Sequence, residues 1–388
     1  MKAVRIGIIG IGNIGSAHAS AINGGDIPGL VLGALCDNDP KRAAELKELY
    51  PHVPVYENAE EMMDSGLVEA VVISTPHYDH PPLAILAFRK GLHVLTEKPA
   101  GVYCAKVREM IDAAKESGKV FAIMFNQRTN KLFRKAKELV DSGALGELKR
   151  SVWVITNWYR KQAYYDSGSW RATWAGEGGG VLMNQAPHNL DLWQWICGMP
   201  VEIRAQCDLG KYHDIEVEDD ATLFARYANG ATGVFMTTTG EYPGTNRLEI
   251  AGTKGKIVLE EKRLVWTRLE MDEREFCQTP EERKISCTVE EFTDERYNGH
   301  HRILENFGRA ILYGDELVAC GEEGLRELTL CNAAYLSSWQ NRPVALPMDD
   351  EEFYAELQKK IDGSRGVKNI RTAHTEEGSY HSRWNTNW

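Results

Sequence analysis

The segment VRIGIIGIGNIGS, residues 4 to 16, constrains the fold more than any other part of this 388-residue chain. An apolar run stops at Gly10, two more glycines follow at Gly12 and Gly15, and a helical pattern begins at once. Such a turn bears no side chain at Gly10 so that it can reverse tightly, none at Gly12 so that a phosphate can reach the backbone, and none at Gly15 so that helix and strand can touch. The helix behind it presents unpaired N–H groups and the positive end of its dipole, so Gly12, Asn13 and Ile14 stand where an anion is held.

The rest of residues 1–125 extends the pattern. LVLGALCD, AVVISTP, GLHVLTEKP and KVFAIMFN are short apolar runs with little polar alternation, as expected of strands covered on both faces, and helical stretches such as PKRAAELKELY separate them. Strand and helix in alternation imply βαβ units and a doubly wound parallel sheet. Asp37 ends the second strand, 22 residues beyond Gly15. A carboxylate there accepts from ribose hydroxyls and repels a 2′-phosphate, so NAD is expected and NADP disfavoured, with Lys41 and Arg42 close enough to soften the preference. Ser74, Thr75 and Pro76 close a later strand on the same carboxyl edge, where ligands bind.

After residue 145 the texture changes. RSVWVITNWY, EIRAQCDL, DATLFARYANGATGVFMTTT, NRLEIAGTKGKIVLEE and RLVWTRLEM follow one another as strands, with Asn229-Gly230 as a hairpin turn. An antiparallel sheet is expected, followed by helices over about 301–313 and 322–338. The boundaries read from the sequence are 1–125 for the nucleotide-binding domain, 126–362 for an α+β domain and 363–388 for a polar tail.

Composition excludes several classes. A net charge of −11 leaves no basic face to displace counterions from a nucleic acid. No run approaches the ~20 apolar residues that span a bilayer, and the N-terminus lacks an export signal, so no membrane and a cytoplasmic location are expected. Eight cysteines without a Cys-x-x-Cys pair read as reduced thiols. The HYDH segment at 77–80 and His300-His301 are not taken as metal sites, because no third ligand is evident, and no metal is expected.

Two side chains carry the chemistry. Lys98 ends a buried strand in the triplet Glu97-Lys98-Pro99, on the cofactor side of a parallel sheet, where proline limits its geometry and partial desolvation lowers its pKa. It is then a proton partner for a substrate hydroxyl; the bland alternative is a surface lysine before a turn. In GEGGGVLMNQAPHNLDLWQWICG, residues 176–198, a glycine run precedes a Pro-initiated helix bearing His188, with Asp191 three residues on and expected to orient the imidazole.

These motifs together, with Trp170-Arg171 and the stretches NFGRAILYGDE and EEGLRELTLCNAAYLSS, resemble the Gfo/Idh/MocA oxidoreductase family over nearly the whole chain. The resemblance implies an N-terminal Rossmann domain, a C-terminal domain whose open, mainly antiparallel sheet supports a homodimer or homotetramer, and hydride transfer between NAD and a hydroxyl or ketone of a sugar, cyclitol or derivative. By the same resemblance Lys98 and His188 are the catalytic pair and Trp170 and Arg171 contact the cofactor, as Glu97 does. The family often has Asp four positions before the histidine; this chain has Asn184, which hydrogen-bonds a hydroxyl but takes no proton. Further expected substrate contacts are Arg128, Asn157, Tyr164, Tyr165 and Asp166. Two other readings stay open: a redox-neutral enzyme that transiently oxidises a glycoside or anhydrosugar to permit elimination, and a non-catalytic sensor of the same fold.

Overall fold

The computed structural model describes residues 2–280, 282–294 and 298–365. The tail expected over 363–388 lies, beyond Arg365, outside the described residues.

The first half builds a six-stranded parallel sheet from β1 (Val4–Ile9), β2 (Leu30–Cys36), β3 (Val55–Tyr56), β4 (Ala70–Ile73), β5 (His93–Thr96) and β6 (Phe121–Ile123), in the order β3-β2-β1-β4-β5-β6. Every pairing is parallel. Strand order reverses between β1 and β4, which opens a crevice at their carboxyl ends. The crossovers carry α1 (Asn13–Asn23), α2 (Pro40–Leu49), α3 (Ala59–Asp64), α4 (His80–Arg89) and α5 (Cys104–Ser117). The continuous apolar runs follow from this layering: all four residues of β4 are buried because helices cover both faces.

A second sheet of nine strands has the order β14-β13-β12-β11-β7-β10-β9-β8-β15. Its strands are β7 (Leu148–Ile155), β8 (Glu202–Leu209), β9 (Glu218–Arg226), β10 (Thr232–Thr238), β11 (Asn246–Gly252), β12 (Gly255–Glu260), β13 (Arg263–Leu269), β14 (Cys287–Thr293) and β15 (Val344–Ala345). The sheet is mainly antiparallel, and β7 and β10 form its one parallel pair among the described strands. The Asn229-Gly230 turn joins β9 to β10; Gly230 has φ +86° and the Asn229 side chain accepts from Ala231 N (3.0 Å). Burial alternates along β9 and β10, so one face is covered and the other open.

The covering layer and the remaining connections are α6 (Lys131–Asp141), α7 (Gln162–Asp166), α8 (Val181–Asn184), α9 (Pro187–Cys197), α10 (Glu273–Cys277), α11 (Gly299–Tyr313), α12 (Gly324–Gln340) and α13 (Asp350–Asp362). The later chain returns to the first half at several points, through Cys320 beside Ala122, Asn332 of α12 on Cys104 N (3.2 Å) and Asp350 of α13 on Arg108 (2.7 Å), as well as through α11. Ile303, Leu304 and Phe307 of α11 share a core with Ile6, Ile8 and Ile22, and residue 308 is glycine where a Cβ would stand 2.6 Å from Leu30. All eight cysteines are free, and five of them are buried.

Arg128 ties these layers together and is not placed as a substrate contact. Its Nε and Nη2 donate to Asp191 on α9 (2.8 and 2.6 Å) and its Nη1 to Glu323 (2.5 Å), with 1 % of the side chain exposed. Asp191 is corrected with it: both carboxylate oxygens are engaged by the guanidinium rather than set to orient His188. Removing one member of such a pair strands a buried charge, so Arg128→Met is expected to lose about 3–5 kcal/mol of stability in urea unfolding, whereas Lys106→Ala at the exposed Lys106–Glu109 pair leaves the midpoint almost unmoved.

Candidate active site

The glycine turn sits at the carboxyl end of β1 and its three glycines differ physically. Gly10 has φ +85°, and a Cβ there would meet the Ser74 and Thr75 backbone at 2.8–2.9 Å. At Gly15 a Cβ would lie 2.0 Å from the Gly10 carbonyl. At Gly12 it would meet nothing within 4 Å, and no side chain caps α1. Beside this open space, Ser74 Oγ and Thr75 Oγ1 are buried without a partner among the described residues. Asp37 accepts from Ile11 N through Oδ2 (2.8 Å), which fixes its carboxylate against the turn. Arg42 donates to Ile11 O (3.0 Å) and Ser16 Oγ (2.9 Å) on the flank, while Lys41 is exposed. Open backbone amides, orphaned hydroxyls and a carboxylate acceptor fit a dinucleotide: Gly12, Asn13 and Ile14 for its pyrophosphate, Asp37 for a ribose.

Lys98 follows β5 and precedes a cis bond to Pro99, where extended geometry before a proline is the ordinary expectation. Its Nζ donates to the main-chain carbonyl of Asn184 (2.9 Å), which brings the two halves of the chain together. Burial pulls the ammonium pKa below that of an ordinary lysine, assisted by Arg171 and opposed by Glu97, Glu327 and Glu177. Glu97 is buried and accepts from His18 Nε2 (2.8 Å), so it braces α1 against the strand end from the protein side.

His188 is the second residue of α9, 1 % exposed and edge-on to Phe125. Burial holds its pKa well below the usual imidazole value, with the Lys98 ammonium and His300 adding to the effect. The amine and the imidazole therefore feel one another, and the ring stays neutral at physiological pH.

Asn184 closes α8, just ahead of α9. Its Nδ2 donates to Glu177 and to the Tyr164 hydroxyl (3.2 Å), which also accepts from Arg171 Nη1 (2.9 Å) and Gln185 Nε2 (3.3 Å). The Arg171 guanidinium lies 4.6 Å from both the Tyr164 and Trp170 ring centroids. Lys98, Asn184, His188, Tyr164, Trp170 and Arg171 thus form one neighbourhood. Tyr165 bonds Thr239 (2.7 Å) beside His213, Asp166 accepts from Gln162 (3.0 Å), and Asn157 is exposed after β7. These three are engaged or displayed elsewhere.

Four residues were not legible as site members. Glu177, 2 % exposed, stands beside Asn184 and Arg171; a charge inside a glycine run was the available signal. His77 bonds Glu177 O (3.0 Å), and His80 faces the carbonyls of Thr75 and Pro99, both at 2.8 Å, so the HYDH segment braces the loops on either side of the cleft. Glu327 on α12 is fully buried, with both carboxyl oxygens unpartnered among the described residues, and burial pushes its pKa well above the usual range.

Residues 4–125 match the model of an oxidoreductase family with an NAD-binding Rossmann fold, and residues 133–258 match the GFO/IDH/MocA C-terminal domain. The chain is 28% identical over 352 residues to myo-inositol 2-dehydrogenase of Thermotoga maritima, covering 88% of this chain and 98% of that one. It is 26% identical over 296 residues to levoglucosan dehydrogenase of Pseudarthrobacter phenanthrenivorans, covering 68% and 75%. The WlbA dehydrogenase of Bordetella pertussis, solved with NADH and UDP-GlcNAcA, superposes with TM-score 0.75 at 27% identity, over 90% of this chain and 100% of that one.

The contrast among the glycines gives a test. Gly12 has φ −77°, which alanine adopts, so Gly12→Ala is expected to keep the melting temperature nearly unchanged while NAD affinity in a fluorescence titration falls about tenfold or more. Gly15→Ala should lower both.

Proposed function

The chain belongs to the Gfo/Idh/MocA oxidoreductase family, and from that premise we propose that it interconverts a secondary hydroxyl and a ketone on a sugar, cyclitol or sugar derivative, with Lys98 and His188 handling the proton. It is an NAD-dependent enzyme of the group that includes inositol and levoglucosan dehydrogenases. The observation that carries the assignment is the bond from Lys98 Nζ to Asn184 O, four residues before His188, at the carboxyl edge of the parallel sheet.

The dinucleotide, when bound, supplies the hydride acceptor or donor. The protein's own residues do the rest. An amine whose charged form is disfavoured by burial takes the proton of a hydroxyl as its carbon is oxidised. The neutral His188 ring hydrogen-bonds the same oxygen and limits where it can sit. Asn184 and Tyr164 provide further hydrogen bonds to the ring hydroxyls, and Trp170 and Arg171 close the cofactor side. In the ketone direction the protonated amine returns the proton.

We further propose that the second sheet joins subunits. Its open face carries an apolar row that runs through Phe224, Val234 and Val152, then past Glu249 to Val258 and Val265 in register across neighbouring strands. Phe224 is 56% exposed and Met236 39%. An apolar row exposed across neighbouring strands suits a second copy of the chain. Among the described residues no helix is long and apolar enough to cross a membrane. The free thiols suit the reducing cytoplasm, where we place the reaction.

Purified protein with NAD is to be screened against sugars, sugar acids, inositols and glycosides, following absorbance of the reduced cofactor. Accumulation of NADH supports a net dehydrogenase; consumption of a glycoside without it supports the oxidation-elimination cycle instead. Lys98→Met and His188→Ala should each lower turnover by about 10²–10⁴-fold with NAD still bound, and near-normal turnover in either removes that residue from the mechanism. The proton acceptor must be the neutral amine, so oxidation rises with pH to a midpoint below the 10.5 of an ordinary lysine, and ketone reduction falls through the same midpoint. In light scattering, Val234→Asp should shift the assembly toward monomer; an unchanged mass would place the subunit contact elsewhere.

A further inference from the structure

Glu177 and Asn184 together decide what kind of group the site offers a substrate. An amide has two N–H donors and one carbonyl acceptor. Asn184 directs its nitrogen to two acceptors at once, Glu177 Oε1 and the Tyr164 hydroxyl. The amide oxygen is left over: no described side chain or main-chain donor meets it, and the residue is only partly buried. The carboxylate fixes this choice, because an ionised carboxyl only accepts, so the amide cannot turn its oxygen toward Glu177 without placing two acceptors in contact.

Glu177 is itself held in place. Its Oε2 accepts from Ala172 N (2.5 Å), Arg171 Nη1 stands 4.0 Å from Oε1, and 2 % of the residue is exposed. Burial raises its pKa, while Arg171, the Ala172 N–H, the Asn184 amide and Lys98 favour the charged form. Asn184 also receives the Lys98 ammonium on its main-chain oxygen. One residue therefore sets the lysine with its backbone and shows an oriented acceptor with its side chain, within a few ångströms of each other by covalent geometry.

We propose that Glu177 is a positioning residue that locks Asn184 as an acceptor, so that the site selects substrates carrying a second hydroxyl donor close to the one that meets Lys98. The inference rests on the proposed reading of Lys98 and deepens it toward polyols with neighbouring hydroxyls. An isolated secondary alcohol leaves the amide oxygen unmet.

The test is a swap measured by steady-state kinetics on the holoenzyme, with myo-inositol and levoglucosan as probes and Lys98→Met as control. Glu177→Gln removes the constraint, because the new carboxamide offers both a donor and an acceptor and the amide of Asn184 is free to turn. Asn184→Asp beside Glu177 puts two carboxylates in contact, which then share a proton. Each single change is expected to raise KM roughly tenfold, the effect of one hydrogen bond lost, with NAD affinity nearly unchanged. The double variant E177Q/N184D restores a donor facing an acceptor with the acceptor still offered to substrate, and should bring KM back to near wild type. A role for Glu177 limited to holding Ala172 predicts no rescue. Loss of turnover in Lys98→Met with an unchanged KM in Glu177→Gln, or a swap no better than the singles, overturns the inference and leaves the reading of Lys98 standing. Normal turnover in Lys98→Met, or no turnover of either probe by the unaltered enzyme, overturns the reading on which it rests.

Discussion

The hydrogen bond from Lys98 Nζ to the carbonyl of Asn184 is the contact on which the rest of the site depends. It spans the two halves of the chain, sets an amine at the mouth of a parallel sheet, and holds the turn that launches α9 with His188. Burial makes that amine less eager for charge and keeps the imidazole neutral, the protonation states needed for proton transfer at a hydroxyl. Around it stands a shell that does no chemistry but removes freedom: His18 on Glu97, His80 between two carbonyls, and the Tyr164 hydroxyl among three N–H donors. The positioning of hydride chemistry demands such rigidity, since the cofactor brings the reactivity and the protein brings the geometry.

The cofactor turn works by division of labour. Gly10 and Gly15 are required by contacts within the protein, and Gly12 by space left for something else. This separates a fold requirement from a ligand requirement within one short motif, and the orphaned hydroxyls of Ser74 and Thr75 border the same space.

Much of the fold was legible because it rests on local pattern. Continuous apolar runs marked the parallel strands, strand-like stretches in close succession marked the second sheet, and the turn at Asn229-Gly230 marked its hairpin. The return of α11 to the first sheet was not legible, because an amphipathic helix shows which face is apolar and not which core receives it. The site divided in the same way. Lys98 and His188 stood out as chemically distinctive residues at the ends of elements. Arg128 and Asp191 looked equally functional, yet the structure pairs them, and no spacing rule anticipates an ion pair between residues 63 positions apart. Glu177 was not legible because it lies between Gly176 and Gly178, and its partners Asn184 and Arg171 meet it only in the folded chain.

The most direct test of the account is a crystal structure of the holoenzyme with a turned-over polyol bound. The account predicts Lys98 Nζ and a His188 ring nitrogen both within about 2.6–3.2 Å of a single hydroxyl oxygen of that ligand, on the carbon facing the nicotinamide. A reacting hydroxyl met by other side chains, with Lys98 still closed on Asn184 and His188 turned away, would contradict it.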